Sequence, residues 1–142
     1  MNIRHPQSGV VLLEALLGIL IFTIGVVGLV GMQASAMKMT ADSKYRSEAA
    51  MFADRLVNQM QSDNTANLSM DYAGSGGSGG TKYVAWVNEV TASGTGLPGA
   101  AITANLPVVA VTAATGTVTI TIRWQSPGET AAHQLVALAV VL

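Results

Sequence analysis

The chain opens on an apolar pattern that gives way to an amphipathic one and then to an alternating one. Between Val10 and Met32 the only ionisable residue is Glu14. About 20 uncharged residues are enough for a helix to cross a bilayer. This run therefore predicts a membrane-spanning helix with one carboxylate near its start.

An amphipathic pattern follows from Ala41. Apolar residues recur at spacings of three and four, whereas Arg46 and Asp54 fall on other faces, which indicates a helix with one buried side. The apolar stripe comprises Tyr45, Ala49, Phe52, Leu56 and Met60. No proline interrupts residues 10–61, so the sequence predicts one continuous helix of about 50 residues, about 80 Å long at 1.5 Å per residue.

The carboxy-terminal half contains a glycine-serine segment and an alternating segment. The sequence GSGGSGG at 74–80 is expected to be a flexible loop without regular structure, and residues 82–90 a short helix. Residues 117–125 then alternate strictly, which predicts a half-buried strand. Its apolar face carries Val118, Ile120, Ile122 and Trp124.

Two further segments, 106–112 and 134–141, flank this strand across turns at 114–116 and 126–128. Three such strands make a minimal antiparallel sheet, and the helix stripe is suited to cover its apolar face. The predicted fold class is α+β, with the second half of a long amino-terminal helix packed on a small antiparallel sheet of about three strands.

Composition excludes several classes of function. The 142 residues are 50% hydrophobic and 11% charged, with a net charge of −1 and no cysteine. A disulfide framework and a thiolate metal site are therefore excluded, and no basic block indicates nucleic acid as a partner. No nucleophile is paired with a base, and no glycine-rich loop lies between a strand and a helix. We expect a protein that is not an enzyme and needs no cofactor, metal or small-molecule ligand.

The segment before the apolar run predicts processing. A secretory signal peptide is cut after its apolar stretch, whereas the short basic segment Met1–Gly9 ends in glycine before that stretch. Cleavage after Gly9 would keep the helix in the mature protein. It would also create a new amino terminus at Val10, with Glu14 as the fifth residue.

This arrangement, QSG followed by VVLLEALLGILIF, resembles the leader and amino-terminal helix of type IV prepilins and of the related pseudopilins of type II secretion. Within that superfamily, IGVVGLVGMQ (24–33), FADRLVNQM (52–60) and VTITIRWQ (118–125) are most similar to minor pilins of the PilV type. Two positions depart from the superfamily pattern. Val10 stands where phenylalanine is usual, and Gly31 where many major pilins have proline.

The resemblance implies partners and site residues. A prepilin peptidase would cut between Gly9 and Val10, and an N-methylating activity would modify Val10. Other major and minor pilins would pack through the amino-terminal helix, first in the bacterial inner membrane and then in the pilus. The implied regions are a leader at 1–9, a membrane and filament-core half-helix at 10–37, an amphipathic part at 38–73, a loop at 74–81, and a periplasmic helix and sheet at 82–142.

Glu14 needs a partner in a membrane. Insertion of an ionised side chain costs about 2.5–3.5 kcal/mol, and the favourable interaction with the helix dipole, about 0.3–1 kcal/mol, does not offset it. An ion pair with an amine is therefore favoured. The Val10 amine of the same helix, four residues away, and that of a neighbouring subunit are both candidates, and the resemblance implies the second.

The other candidate residues have structural interpretations. Trp86 and Trp124 are expected in the core, and His133 in a strand or on the surface rather than at a metal site. Glycines seven or three residues apart in the apolar helix either permit close packing between helices or reflect the general frequency of glycine in membrane helices. They are Gly18, Gly25, Gly28 and Gly31.

Three functions fit these patterns: a minor pilin of a type IV pilus, a minor pseudopilin of a type II secretion system, and a plain single-span membrane protein. The segment 24–33 favours the first over the second, and Gly9 with Glu14 disfavours the third. By the positive-inside rule alone, Lys38, Lys44 and Arg46 after the span outweigh Arg4 before it and argue for the opposite topology. The leader takes precedence in our interpretation.

Overall fold

The computed structural model describes residues 8–63 and 65–141. Its first element, α1, runs from Ser8 to Ser62 without a break, which confirms the single continuous helix. Contacts divide the chain into two units at Thr40.

The amino-terminal unit is helical and apolar on all sides. Every residue from Gly9 to Thr40 is exposed to the surroundings, and the helix includes a window with a mean hydropathy of 2.7. The backbone N–H and C=O groups of a helix are hydrogen-bonded to one another, so a helix can carry such side chains into lipid. This helix is long and apolar enough for a membrane span or a signal sequence.

The carboxy-terminal unit contains the end of α1 and all other elements. After α1 come a 3-10 turn (Thr65–Asn67), α2 (Leu68–Tyr72), β1 (Gly74–Ser75), β2 (Ser78–Gly79), α3 (Thr81–Val90), a second 3-10 turn (Thr103–Asn105), β3 (Val108–Thr112), β4 (Thr117–Trp124) and β5 (His133–Val140). The strands form one antiparallel sheet in the order β2-β1-β3-β4-β5. The α+β prediction is confirmed.

The prediction that residues 74–80 lack regular structure is wrong. β1 and β2 form a hairpin there, in which Gly74 pairs with Gly79, and β1 also pairs with β3. The two turn residues Gly76 and Gly77 have φ angles of 61° and 80°, the conformation that a two-residue hairpin turn requires. The glycines therefore permit a tight hairpin, which adds two short strands to the three predicted.

Tyr83 of α3 holds this hairpin against the sheet. Its hydroxyl donates to the Pro107 carbonyl at 2.6 Å and accepts the Gly77 N–H at 3.3 Å. The ring lies so close to Gly74 that a Cβ there would clash with it. Burial raises the pKa of Tyr83, and the Gly77 N–H partly opposes that shift.

The core lies between one face of the sheet and the helices. Alternate residues of β4 are at most 1% exposed, as the strand pattern predicted, and these are Val118, Ile120, Ile122 and Trp124. They join Ala49, Ala53, Leu56 and Met60 of α1 in one cluster. Ala53 belongs to the buried stripe, whereas Tyr45 and Phe52 pack only at its margin.

Trp86 is also in the core, as predicted, with 3% exposure. Its indole N–H donates to the backbone carbonyl of Phe52 at 3.1 Å. A carbonyl inside an α-helix can accept this second bond because it has two lone pairs. The indole therefore ties α3 to α1 within the carboxy-terminal unit.

Candidate assembly site on the amino-terminal helix

The three sequence-predicted site residues lie in the first two turns of α1. Gly9 and Val10 follow the first helical residue, Ser8, and Glu14 lies one turn further on. Residues four apart share a face of a helix, so the Glu14 side chain lies on the same face as Val10, which is 69% exposed. Cleavage after Gly9 would thus create an amine one turn from the carboxylate, on the same face.

Among the residues that the structure describes, nothing packs against Gly9. A Cβ built on Gly9 meets no atom within 4 Å, and Gly9 is not among the glycines with positive φ. The folding of the described chain therefore tolerates a larger residue here. No contact within the described residues requires glycine at this position.

The four glycines of the apolar part of α1 are equally open. A Cβ on any of them also meets nothing within 4 Å, and they are Gly18, Gly25, Gly28 and Gly31. Both interpretations of these glycines, close packing between helices and the general frequency of glycine in membrane helices, therefore stay predictions.

Glu14 has no ionic partner among the residues that the structure describes, because none of them makes an ion pair or hydrogen bond with its carboxylate. Along α1 the next basic residue is Lys38, about 36 Å away at 1.5 Å per residue. If the predicted cleavage removes residues 1–9, the candidate partners are the new amine at Val10 and groups on other molecules. Thr23 differs, because its hydroxyl donates to the Leu20 carbonyl at 2.8 Å.

A polar cluster closes the far end of α1, in the carboxy-terminal unit. The Asp63 carboxylate accepts hydrogen bonds from Lys82 Nζ at 2.5 Å and from the Tyr72 hydroxyl. The hydrogen bond from Lys82 and, to a smaller extent, the hydrogen bond from Tyr72 hold the pKa of Asp63 below its usual range. Burial and the bond to Asp63 raise the pKa of Tyr72. The cluster links the residue after α1 to α2 and α3.

His133 is the first residue of β5 and has two carboxylate neighbours that sequence reasoning missed. Its Nε2 lies 2.6 Å from Glu129 Oε2 and its Nδ1 lies 3.4 Å from Asp42 Oδ1. Its ring stacks on Trp124 with centroids 5.8 Å apart. The carboxylates flank opposite ring nitrogens, so they do not converge on one point. Glu129 is four residues before His133, but residues 129–132 form a loop, and that spacing predicts a contact only on a helix, so the sequence carried no local signal for it.

The fold and the apolar helix together limit the class of protein. A long amino-terminal helix with an apolar first part, packed on a small antiparallel sheet, is consistent with a pilin-like fold in a single-span protein. No protein-family model matches the chain, and neither a curated protein nor a solved structure is significantly similar to it.

Proposed function

We propose that the chain is a minor pilin subunit of a type IV pilus. Its leader, residues 1–9, is removed by a prepilin peptidase, and α1 anchors it in the bacterial inner membrane with the sheet domain in the periplasm. It then enters the pilus, where it serves assembly, adhesion or motility. The observation that supports this most is Glu14, a carboxylate without an ionic partner among the described residues, which lies in the exposed apolar first part of α1, one turn from the amine that cleavage would create.

The proposed assembly step follows from electrostatics. The α-amine of Val10 has a reference pKa of about 7.7, so it is largely cationic near neutral pH. Attraction between this amine and a carboxylate strengthens where lipid and packed helices exclude water. Pairing Glu14 with the Val10 amine of a neighbouring subunit satisfies both charges. Four residues separate the two groups, so paired helices would be offset by about 6 Å along their axes.

A minor pseudopilin of a type II secretion system is the second candidate. It would use the same leader, the same carboxylate and the same fold. The segment 24–33 favours the pilus, because it resembles minor pilins of the PilV type. Deleting the gene separates the two, since loss of surface pili with normal protein export supports a pilin, and blocked export with normal pili supports a pseudopilin.

Replacing Glu14 by leucine tests the assembly step directly. The variant should insert at least as well as the wild type and still be cut after Gly9, because only the intramembrane charge is removed. It should lose crosslinks to neighbouring subunits in the membrane and be depleted from sheared filaments. Thr23→Leu is the matched control, because it also replaces an intramembrane polar residue but one that is satisfied within its own helix.

Normal crosslinking and normal filament recovery of Glu14→Leu would contradict the intersubunit pair. Glu14 would then act within its own helix on the Val10 amine, or in recognition by the peptidase.

A further inference from the structure

His133 lies between two carboxylates that belong to different elements. Asp42 is on α1, and Glu129 is in the loop between β4 and β5. Glu129 Oε2 lies 2.6 Å from His133 Nε2, and Asp42 Oδ1 lies 3.4 Å from His133 Nδ1. The histidine side chain is only 30% exposed, so water does not freely replace either carboxylate as its partner.

The backbone of each acidic residue is fixed by contacts that do not involve His133. The N–H of Glu129 donates to the Ser126 carbonyl at 3.0 Å. The carbonyl of Glu129 accepts a hydrogen bond from the Gln125 side chain at 2.6 Å. Asp42 lies within the continuous helix α1. Both carboxylates therefore stay near the ring whether or not it is charged.

A neutral imidazole can donate to only one of the two carboxylates, because it has one N–H donor and one acceptor nitrogen. The shorter contact, with Glu129, favours the proton on Nε2. The lone pair on Nδ1 then faces Asp42. In agreement, Asp42 Oδ1 is buried and accepts no hydrogen bond from the described residues. A buried acceptor without a hydrogen bond destabilises the fold.

A protonated imidazole has a donor at each nitrogen, so it can satisfy both carboxylates. Trp124 of β4 adds a further favourable contact. Its ring stacks on the imidazole with centroids 5.8 Å apart and planes at 17°, and an aromatic face attracts a cation within about 6 Å. We propose that protonation of His133 closes a clasp, in which the imidazolium joins Asp42 of α1 to Glu129 of the loop.

No basic group of the described chain competes with His133 for these carboxylates. Lys38 and Arg46 lie one turn before and one turn after Asp42 on α1, but neither makes an ion pair with it. Arg123 of β4 lies on the sheet face opposite to His133, since successive strand residues alternate between faces. β5 has no other ionisable residue. Carboxylates ordinarily titrate near pH 4, whereas histidine is the side chain that ordinarily titrates between about pH 5 and 8.

The test compares amide hydrogen exchange of the full chain in detergent micelles at about pH 8 and about pH 6. Protection is the factor by which the structure slows exchange relative to an unstructured chain at the same pH. Protection of residues 129–135 should rise at least about fivefold at the lower pH, because charge-assisted hydrogen bonds are the stronger ones.

Three variants assign the effect to the clasp. His133→Gln should show equal protection at the two pH values, because glutamine gains no proton. Asp42→Asn should also remove the pH dependence, because its amide N–H can donate to the unprotonated Nδ1. His5→Gln is the matched control, since it replaces the other histidine of the chain, and should keep the full rise.

An unchanged protection of the wild type between the two pH values overturns the proposal. A rise that persists in His133→Gln, or one that His5→Gln abolishes, also overturns it. Asp42→Asn decides the test if His133→Gln does not fold, because it retains the ring, and a rise equal to that of the wild type would exclude the clasp. The clasp lies within the carboxy-terminal unit, so its failure leaves the pilus assignment intact.

Discussion

Truncating Leu56 to alanine tests the central packing arrangement of the carboxy-terminal unit. Leu56 is on α1, is fully buried, and belongs to the same cluster as Val118, Ile120 and Ile122 of β4. A leucine-to-alanine change at such a site typically costs about 2–5 kcal/mol, the lost transfer free energy plus the cavity left behind. Domains of this size are stable by about 5–15 kcal/mol in total, so the loss should be large.

The assay is thermal unfolding of a soluble fragment comprising residues 39–142, followed by circular dichroism. The fragment should fold without detergent, because the core described above lies within the carboxy-terminal unit. One kcal/mol shifts the Tm of a domain of this size by roughly 4–8 °C, so a loss of about 2 kcal/mol or more should lower the Tm of Leu56→Ala by at least about 8 °C. Met51→Ala is the matched control on the same helix, because Met51 is 61% exposed. It should change the stability by no more than about 0.5 kcal/mol.

Two results would refute this reasoning. A fragment that does not fold by itself would show that the core depends on residues before 39. Equal Tm values for Leu56→Ala and Met51→Ala would show that the buried face of α1 does not pack on the sheet.

Three further predictions concern processing, pH and the hairpin. Gly9→Val should leave the leader attached, and a normal mature mass by mass spectrometry would disprove the leader assignment. The pKa of Asp63 is lowered in the folded state. The ionised carboxylate therefore stabilises the fold at pH values above its unfolded pKa of about 3.9. This stabilisation is lost as the pH falls through the lower pKa of the folded state. Asp63→Asn should reduce the loss of stability at acid pH, measured as the Tm of the fragment against pH. An unchanged dependence of Tm on pH would exclude this contribution of Asp63. Gly74→Ala should lower the Tm of the fragment, because the added Cβ meets the buried Tyr83 ring, and an unchanged Tm would contradict the close contact.

Several parts of the fold and the site could be predicted because their signals are local. The spacing of apolar residues and the absence of proline predict α1, and strict alternation predicts β4 and its buried face. The positions of Gly9, Val10 and Glu14 relative to the apolar run carry the processing and assembly hypotheses. Neither of those hypotheses needs a tertiary contact, since both depend on positions along one helix.

Residues at the margins of these patterns could not be placed from the sequence. The predicted apolar stripe of α1 includes Phe52. In the structure Ala53 is buried instead, and Phe52 is only half buried. Helical spacing allows either residue to face the core. Which of the two is buried depends on how the sheet packs against this part of α1.

The sequence by itself determined the elements in which the spacing of apolar residues repeats every few positions. These are the continuous helix, its apolar first part with a single carboxylate, and the alternating strand. The tertiary structure decided what depends on distant partners. The glycine-serine segment is a hairpin because Tyr83 and β3 hold it. His133 lies between Asp42 and Glu129 because the first residue of β5 contacts both α1 and the loop that precedes β5. Only the strand order shows that β5 is an edge, because its own pattern would suit a central strand equally well.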